Sequence, residues 1–150
     1  MGLLNIASGA SLWRGYEYYR QQKVNDIQKE SDVEYYAKVE GNNSKIYDVF
    51  INIEHPRKSH CNCPFAGGKR IVCKHQVALY FTILPEEAEN YYKEVVEYEE
   101  ELEREEEELY EWFVKYLNKM TKEEMKAELY TTLLEGPEWQ FQRFVNEHKD

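Results

Sequence analysis

Cys61-Asn62-Cys63-Pro64-Phe65-Ala66-Gly67-Gly68-Lys69-Arg70-Ile71-Val72-Cys73-Lys74-His75 holds all three cysteines and one of the four histidines of this 150-residue chain. The order is C-x-C, nine residues, C-x-H. Three thiolates and an imidazole complete a tetrahedral shell, and soft sulfur with nitrogen selects zinc over magnesium or calcium. Cys61 and Cys63 are two apart, so on extended backbone they face the same way. Pro64 turns the chain, and Gly67-Gly68 brings it back. Cys73 and His75 then open a helix, where the positive end of the dipole favours thiolate.

Other uses of these residues fit less well. A redox C-x-C pair leaves Cys73 and His75 without a role, and inert core cysteines would not crowd into 13 residues. His60 and His55 compete with His75 for the fourth position. On a strand, however, His60 faces away from its neighbour Cys61, so His75 is preferred. A catalytic zinc keeps an open position and a nearby general base. Here four ligands close the shell, and from His55 to Pro85 there is no Asp or Glu. One structural zinc and no catalytic residue are expected.

Working outward, the net charge of −10 is unevenly spread. Residues 1–85 carry 11 Lys/Arg against 8 Asp/Glu, whereas 86–150 carry 8 against 21. That break predicts two parts: a zinc-binding domain with its preceding helix and hairpin over 1–85, and an acidic helical arm over 86–150. Three cysteines cannot all pair within one chain, which points to a reducing, cytoplasmic setting. No apolar run approaches the ~20 residues of a membrane span.

Helical spacing of Leu12, Trp13, Tyr16 and Tyr19 predicts a helix over 8–24, capped by Ser8 or Ser11. Aromatics at that period are expected to be packing. The period then changes to two. Val33, Tyr35, Ala37 and Val39, followed by Gly41-Asn42-Asn43-Ser44 and by Tyr47, Val49, Ile51 and Ile53, predict an antiparallel hairpin. A lone hairpin is marginal, so a third strand or a helix must cover its apolar face. Residues 57–63 can supply a strand, and Val77, Ala78, Tyr80, Phe81 and Leu84 a helix that Pro85 stops or bends.

Glu86–Asn118 reads as a long acidic helix. It is expected to touch its own domain at Tyr91–Tyr98 and again at Leu109–Leu117, with an intermolecular coiled coil as the alternative. Thr121-x-x-Glu124 is a capping box for a further helix that Gly136-Pro137 ends, and Trp139–Val145 suggests one more. The fold class expected is α+β: an N-terminal helix, a small antiparallel sheet with a strand-strand-helix zinc site, and a C-terminal acidic helical segment.

The ligand pattern resembles the SWIM-type zinc fingers, whose signature is C-x-C, a spacer, then C-x-H. Cys61, Cys63, Cys73 and His75 match its four positions, and Pro64, Lys74 and Ala78-Leu79 look typical of it. Upstream, Trp13-Arg14-Gly15, Tyr18-Tyr19, Val24, Ala37-x-Val39 and Tyr47-x-Val49 are similar to the segment before the finger in bacterial members. Downstream, Leu117-x-x-Met120-Thr121-Lys122-Glu123-Glu124-Met125 is similar to a helical segment they carry. The resemblance implies a short member or an N-terminal fragment, with a proposed role in binding DNA or protein.

Two functional expectations follow. Arg57, Lys58, Lys69, Arg70 and Lys74 form a basic rim suited to the phosphates of DNA or another nucleic acid. Alternatively, the acidic arm with Tyr98, Leu102, Leu109, Trp112 and Tyr116 contacts a protein partner. No paired carboxylates, nucleophile triad or phosphate loop is present, so neither an enzyme nor a small-molecule substrate is expected.

Overall fold

The computed structural model describes residues 2–149 and is α+β, with one four-stranded antiparallel sheet. Contacts divide the chain into two compact units, one ending at Val96 and the other beginning at Glu97.

In the first unit, a short helix α1 (Leu3–Ile6) buries Leu3, and α2 spans Gly9–Arg20. Ser8 is the cap: its Oγ accepts from the Ser11 N–H at 3.2 Å. α2 ends before the expected Val24 because Val24 opens a strand, β1 (Val24–Lys29). β1 runs antiparallel to β2 (Glu34–Glu40), with an irregular register between Asn25 and Gln28 where Asp26 takes φ 51°. β2 pairs in turn with β3 (Ile46–Asn52) over seven residues, through a 3-10 turn at Asn42–Ser44. The hairpin read from the alternating pattern is therefore present, and β1 is the additional strand that supports it.

β4 is only His60–Cys61, shorter than the run expected over 57–63, because Pro56–Lys58 form a 3-10 turn instead. Polar side chains set that turn. The His55 N–H donates to Asn52 Oδ1, the Asn52 N–H donates to Ser59 Oγ at 3.0 Å, and Asn52 Nδ2 donates to Glu34 Oε1. Asn52 and Ser59 are both buried, so these bonds satisfy groups that would otherwise be costly to enclose.

Helix α3 (Lys74–Ile83) covers the sheet and is buried almost all round. Val77, Ala78, Leu79 and Phe81 are fully enclosed, each large one contributing on the order of 1.5–3 kcal/mol by burial. α2 packs closely against α3. A Cβ on Gly15 would lie 2.4 Å from Val77 Cβ, so only glycine permits this approach. Leu84 leaves the helix, and Pro85 starts the next one, α4 (Pro85–Lys119). Its first turns belong to this core: Ala88 is buried, Tyr91 stacks on Phe81 and Tyr92 on Tyr16. The α2 aromatics are thus mainly packing, as their period suggested.

In the second unit, α5 (Lys122–Leu134) packs on α6 (Glu138–His148). The capping box is formed, with the Glu124 N–H on Thr121 Oγ1 at 3.2 Å and the Thr121 N–H on Glu124 Oε2 at 2.8 Å. The expected burial at Leu109–Leu117 is absent: Leu109, Trp112, Phe113 and Tyr116 are all exposed. Tyr98, at 62% exposure, also lies outside any core. With four glutamates in succession at 105–108, the helix has no continuous apolar seam to bury.

Candidate metal centre

The sheet edge delivers the first pair of ligands. Cys61 lies opposite Val49 on β3, and His60 opposite Phe50. Alternation therefore sends Cys61 into the core and His60 to the other face, where its ring packs 4.9 Å from Phe50. Asn62 prolongs the pairing by side chain: its Oδ1 accepts from the Asp48 N–H at 3.0 Å, and its Nδ2 donates to Asp48 Oδ2. Cys63 follows on the inner side. The chain then turns tightly, the Ala66 and Gly67 N–H groups both donating to Cys63 O, and Gly68 at φ 71° reverses it. Val72 bridges to Ala7, which fixes the return path.

The helix start delivers the second pair. Cys73 is the N-cap of α3 and His75 lies in its first turn. The Cys73 N–H donates to Gln76 Oε1 at 2.8 Å, and Cys73 Sγ accepts from the Gln76 N–H, a capping box with sulfur in the place of the usual hydroxyl. Gln76 is fully buried.

The ligand atoms of Cys61, Cys63, Cys73 and His75 all lie within 4.8 Å of one another, and all four residues are buried. His75 Nδ1 is 3.7 Å from Cys61 Sγ and 3.8 Å from Cys73 Sγ. Around a zinc with Zn–S of about 2.3 Å and Zn–N of about 2.0 Å, tetrahedral ligand atoms lie roughly 3.5–3.8 Å apart. The donor set and its spacing fit one zinc ion. With Nδ1 on the metal, Nε2 carries the proton. It has no hydrogen-bond partner among the described residues, and the rings of Tyr47 (4.6 Å) and Tyr18 (5.5 Å) lie against the imidazole. Aromatic packing thus orients this ligand, in place of the carboxylate that usually does so.

Without metal, Cys73 is the more acidic of the facing pair Cys61 and Cys73: the hydrogen bond from Cys61 lowers it against its own burial, and His75 and the Gln76 N–H lower it further. The hydrogen bond with Cys73 and burial push Cys61 up. Zinc binding at neutral pH therefore displaces a proton from Cys61.

Of the other residues read as candidates, His55 and His60 are exposed and outside the cluster. Arg57 and Lys58 sit on the exposed 3-10 turn, and Lys69 and Arg70 on the exposed loop after Gly68. Lys74 is engaged within the fold: its Nζ donates to Tyr18 Oη at 2.6 Å and lies 4.3 Å from that ring's centre. Tyr18 Oη in turn donates to Asn42 Oδ1. Gln76, Tyr18 and Tyr47 are missing from the sequence-derived site. Only Gln76 had a local signal, the three-residue capping spacing from Cys73.

A model of the SWIM zinc finger family matches residues 47–84, from the start of β3 to the C-cap of α3. No curated protein and no solved structure matches the chain. The matched segment contains the strand, the turn, the helix and all four clustered ligands, so this chain carries a SWIM zinc finger, a zinc-binding module built on Cys61, Cys63, Cys73 and His75.

Proposed function

We propose that the zinc module presents a basic surface to nucleic acid, DNA first, with a structural rather than catalytic ion. The carrying observation is that Arg57, Lys58, Lys69 and Arg70 are exposed and none pairs with a carboxylate among the described residues. They flank the ligands in a stretch without a single acid, in a chain of net charge −10. Free guanidinium and ammonium groups at such a site neutralise phosphates and release counterions. Four such contacts give a log–log salt slope of about −3.6 on duplex DNA. Fluorescence anisotropy of zinc-loaded protein across a salt titration tests this; no binding at low ionic strength removes the reading. A non-enzymatic, cytoplasmic role fits the closed metal shell and the unpaired thiols.

A second reading concerns the acidic arm as a protein-binding element. From Glu97 to Lys149 no residue is buried, and Leu109, Trp112, Phe113 and Tyr130 are each at least 47% exposed. A helical segment with so much uncovered apolar surface suits a protein contact. Sedimentation of the full chain, alone and with the Trp112→Glu substitution, tests self-association through it.

A further inference from the structure

Beside the zinc ligands is a recess of about 340 Å³, lined by the first turns of α2 and α3 and by the Pro64-Phe65 turn. We propose that it seats one unstacked nucleotide of a single-stranded nucleic acid, with the phosphate on Arg14 and Lys74 and the base on Phe65. The proposal rests on the nucleic-acid reading above and adds to the rim a site that none of the rim residues Arg57, Lys58, Lys69 and Arg70 lines.

Charge is the first argument. No Asp or Glu lines the recess, while Arg14 and Lys74 do. Arg14 is exposed and without a carboxylate partner among the described residues. Lys74 is held in place by Tyr18, whose hydroxyl oxygen accepts one of its N–H groups and leaves the others for a ligand. A zinc held by three thiolates and one imidazole carries about −1, so these two cations leave the walls at about +1 before a ligand enters. The first turns of α2 and α3 add backbone dipoles of the same sign.

Shape is the second. Phe65 is 56% exposed, an apolar ring left in water on a turn that is otherwise tightly held. Its neighbours Ala66 and Gly67 both donate to Cys63 O, and Cys63 is a zinc ligand, so the metal fixes the ring's backbone. An exposed aromatic ring on a held backbone beside cations is the arrangement on which single-stranded bases stack. Ser8, Ser11 and the Asn42 amide supply polar groups for a base edge or sugar. The recess is within the size range of small-ligand pockets, so it accepts a splayed nucleotide, whereas duplex bases remain stacked on each other.

The test compares fluorescein-labelled dT12 and a 20-base-pair duplex on the zinc-loaded full chain. The variants are Arg14→Ala, Phe65→Ala and the rim quadruple Arg57→Ala/Lys58→Ala/Lys69→Ala/Arg70→Ala. Zinc content and circular dichroism serve as folding controls. The expected result is that Phe65→Ala weakens dT12 about tenfold at an unchanged salt slope, and duplex by less than twofold. Arg14→Ala weakens dT12 and makes its salt slope shallower by about 0.7. If both variants bind dT12 as the parent does while the rim variant loses it, the recess proposal is overturned and the nucleic-acid reading stands. If the parent binds neither probe at low salt, both fall.

Discussion

The backbone N–H of Cys73 donates to Gln76 Oε1 at 2.8 Å, so a metal ligand and the first turn of α3 are held by one buried amide. Replacing Gln76 with Leu keeps the volume but leaves the Cys73 N–H unsatisfied. Such a loss costs about 1–3 kcal/mol, and disturbing a partner of a metal ligand typically weakens metal affinity 10–100-fold. Competition with a chromogenic chelator should show weaker zinc binding by Gln76→Leu, with the ion still bound at stoichiometry.

Gly15 faces Val77 at a separation only a hydrogen atom can fill. Gly15→Ala should therefore destabilise the protein by about 1–3 kcal/mol through overpacking. Val77→Ala alone should also destabilise it, by opening a cavity. The double variant should be more stable than the sum of the two predicts, because the new methyl occupies the vacated space. Urea denaturation of the four proteins measures the coupling; strict additivity would count against the contact.

Removal of zinc should unfold the core around α3 rather than merely empty it. Cys61, Cys63, Cys73 and His75 are part of that core, and in small zinc modules metal affinity is folding energy. Cys73→Ser and His75→Ala should each lose stoichiometric zinc and the cooperative thermal transition. His60→Ala should keep both, since its ring lies on Phe50 at the other sheet face. Zinc per chain by mass spectrometry, alongside melting, separates these outcomes.

The α5 cap provides a pH signature. The Thr121 backbone N–H and side-chain hydroxyl both donate to Glu124 Oε2 at 2.8 Å, which holds that carboxyl below its usual value of 4.5. Because the folded value is the lower one, the stabilisation is present above 4.5 and is lost as pH falls through the lowered value. The Thr121 amide resonance should report that titration, and Glu124→Gln should abolish the step.

The parts legible in sequence are those whose physics is local. Alternation over 33–53 specified the hairpin because side chains on a strand reverse every residue, and β2 and β3 pair throughout as that pattern requires. The C-x-C and C-x-H spacings named the four ligands because short segments of strand and helix start dictate where neighbouring side chains point. The same alternation correctly turned His60 away from the site. Local pattern misled where an apolar stripe alone was taken as evidence of packing. Leu109, Trp112 and Tyr116 have helical spacing, yet spacing does not supply a surface to cover them.

The metal, its ligands and the strand-turn-helix that carries them follow from residue types and short spacings along the chain. What surrounds them comes from packing between distant segments. Lys74 reads as one more rim cation until Tyr18, 56 residues earlier, is found to accept its hydrogen bond. Arg14 reads as an ordinary helix residue until α2 is packed against α3 and brings it to the wall of the recess beside the zinc. Both outcomes depend on the Gly15–Val77 approach, a long-range contact that no periodicity along the chain encodes.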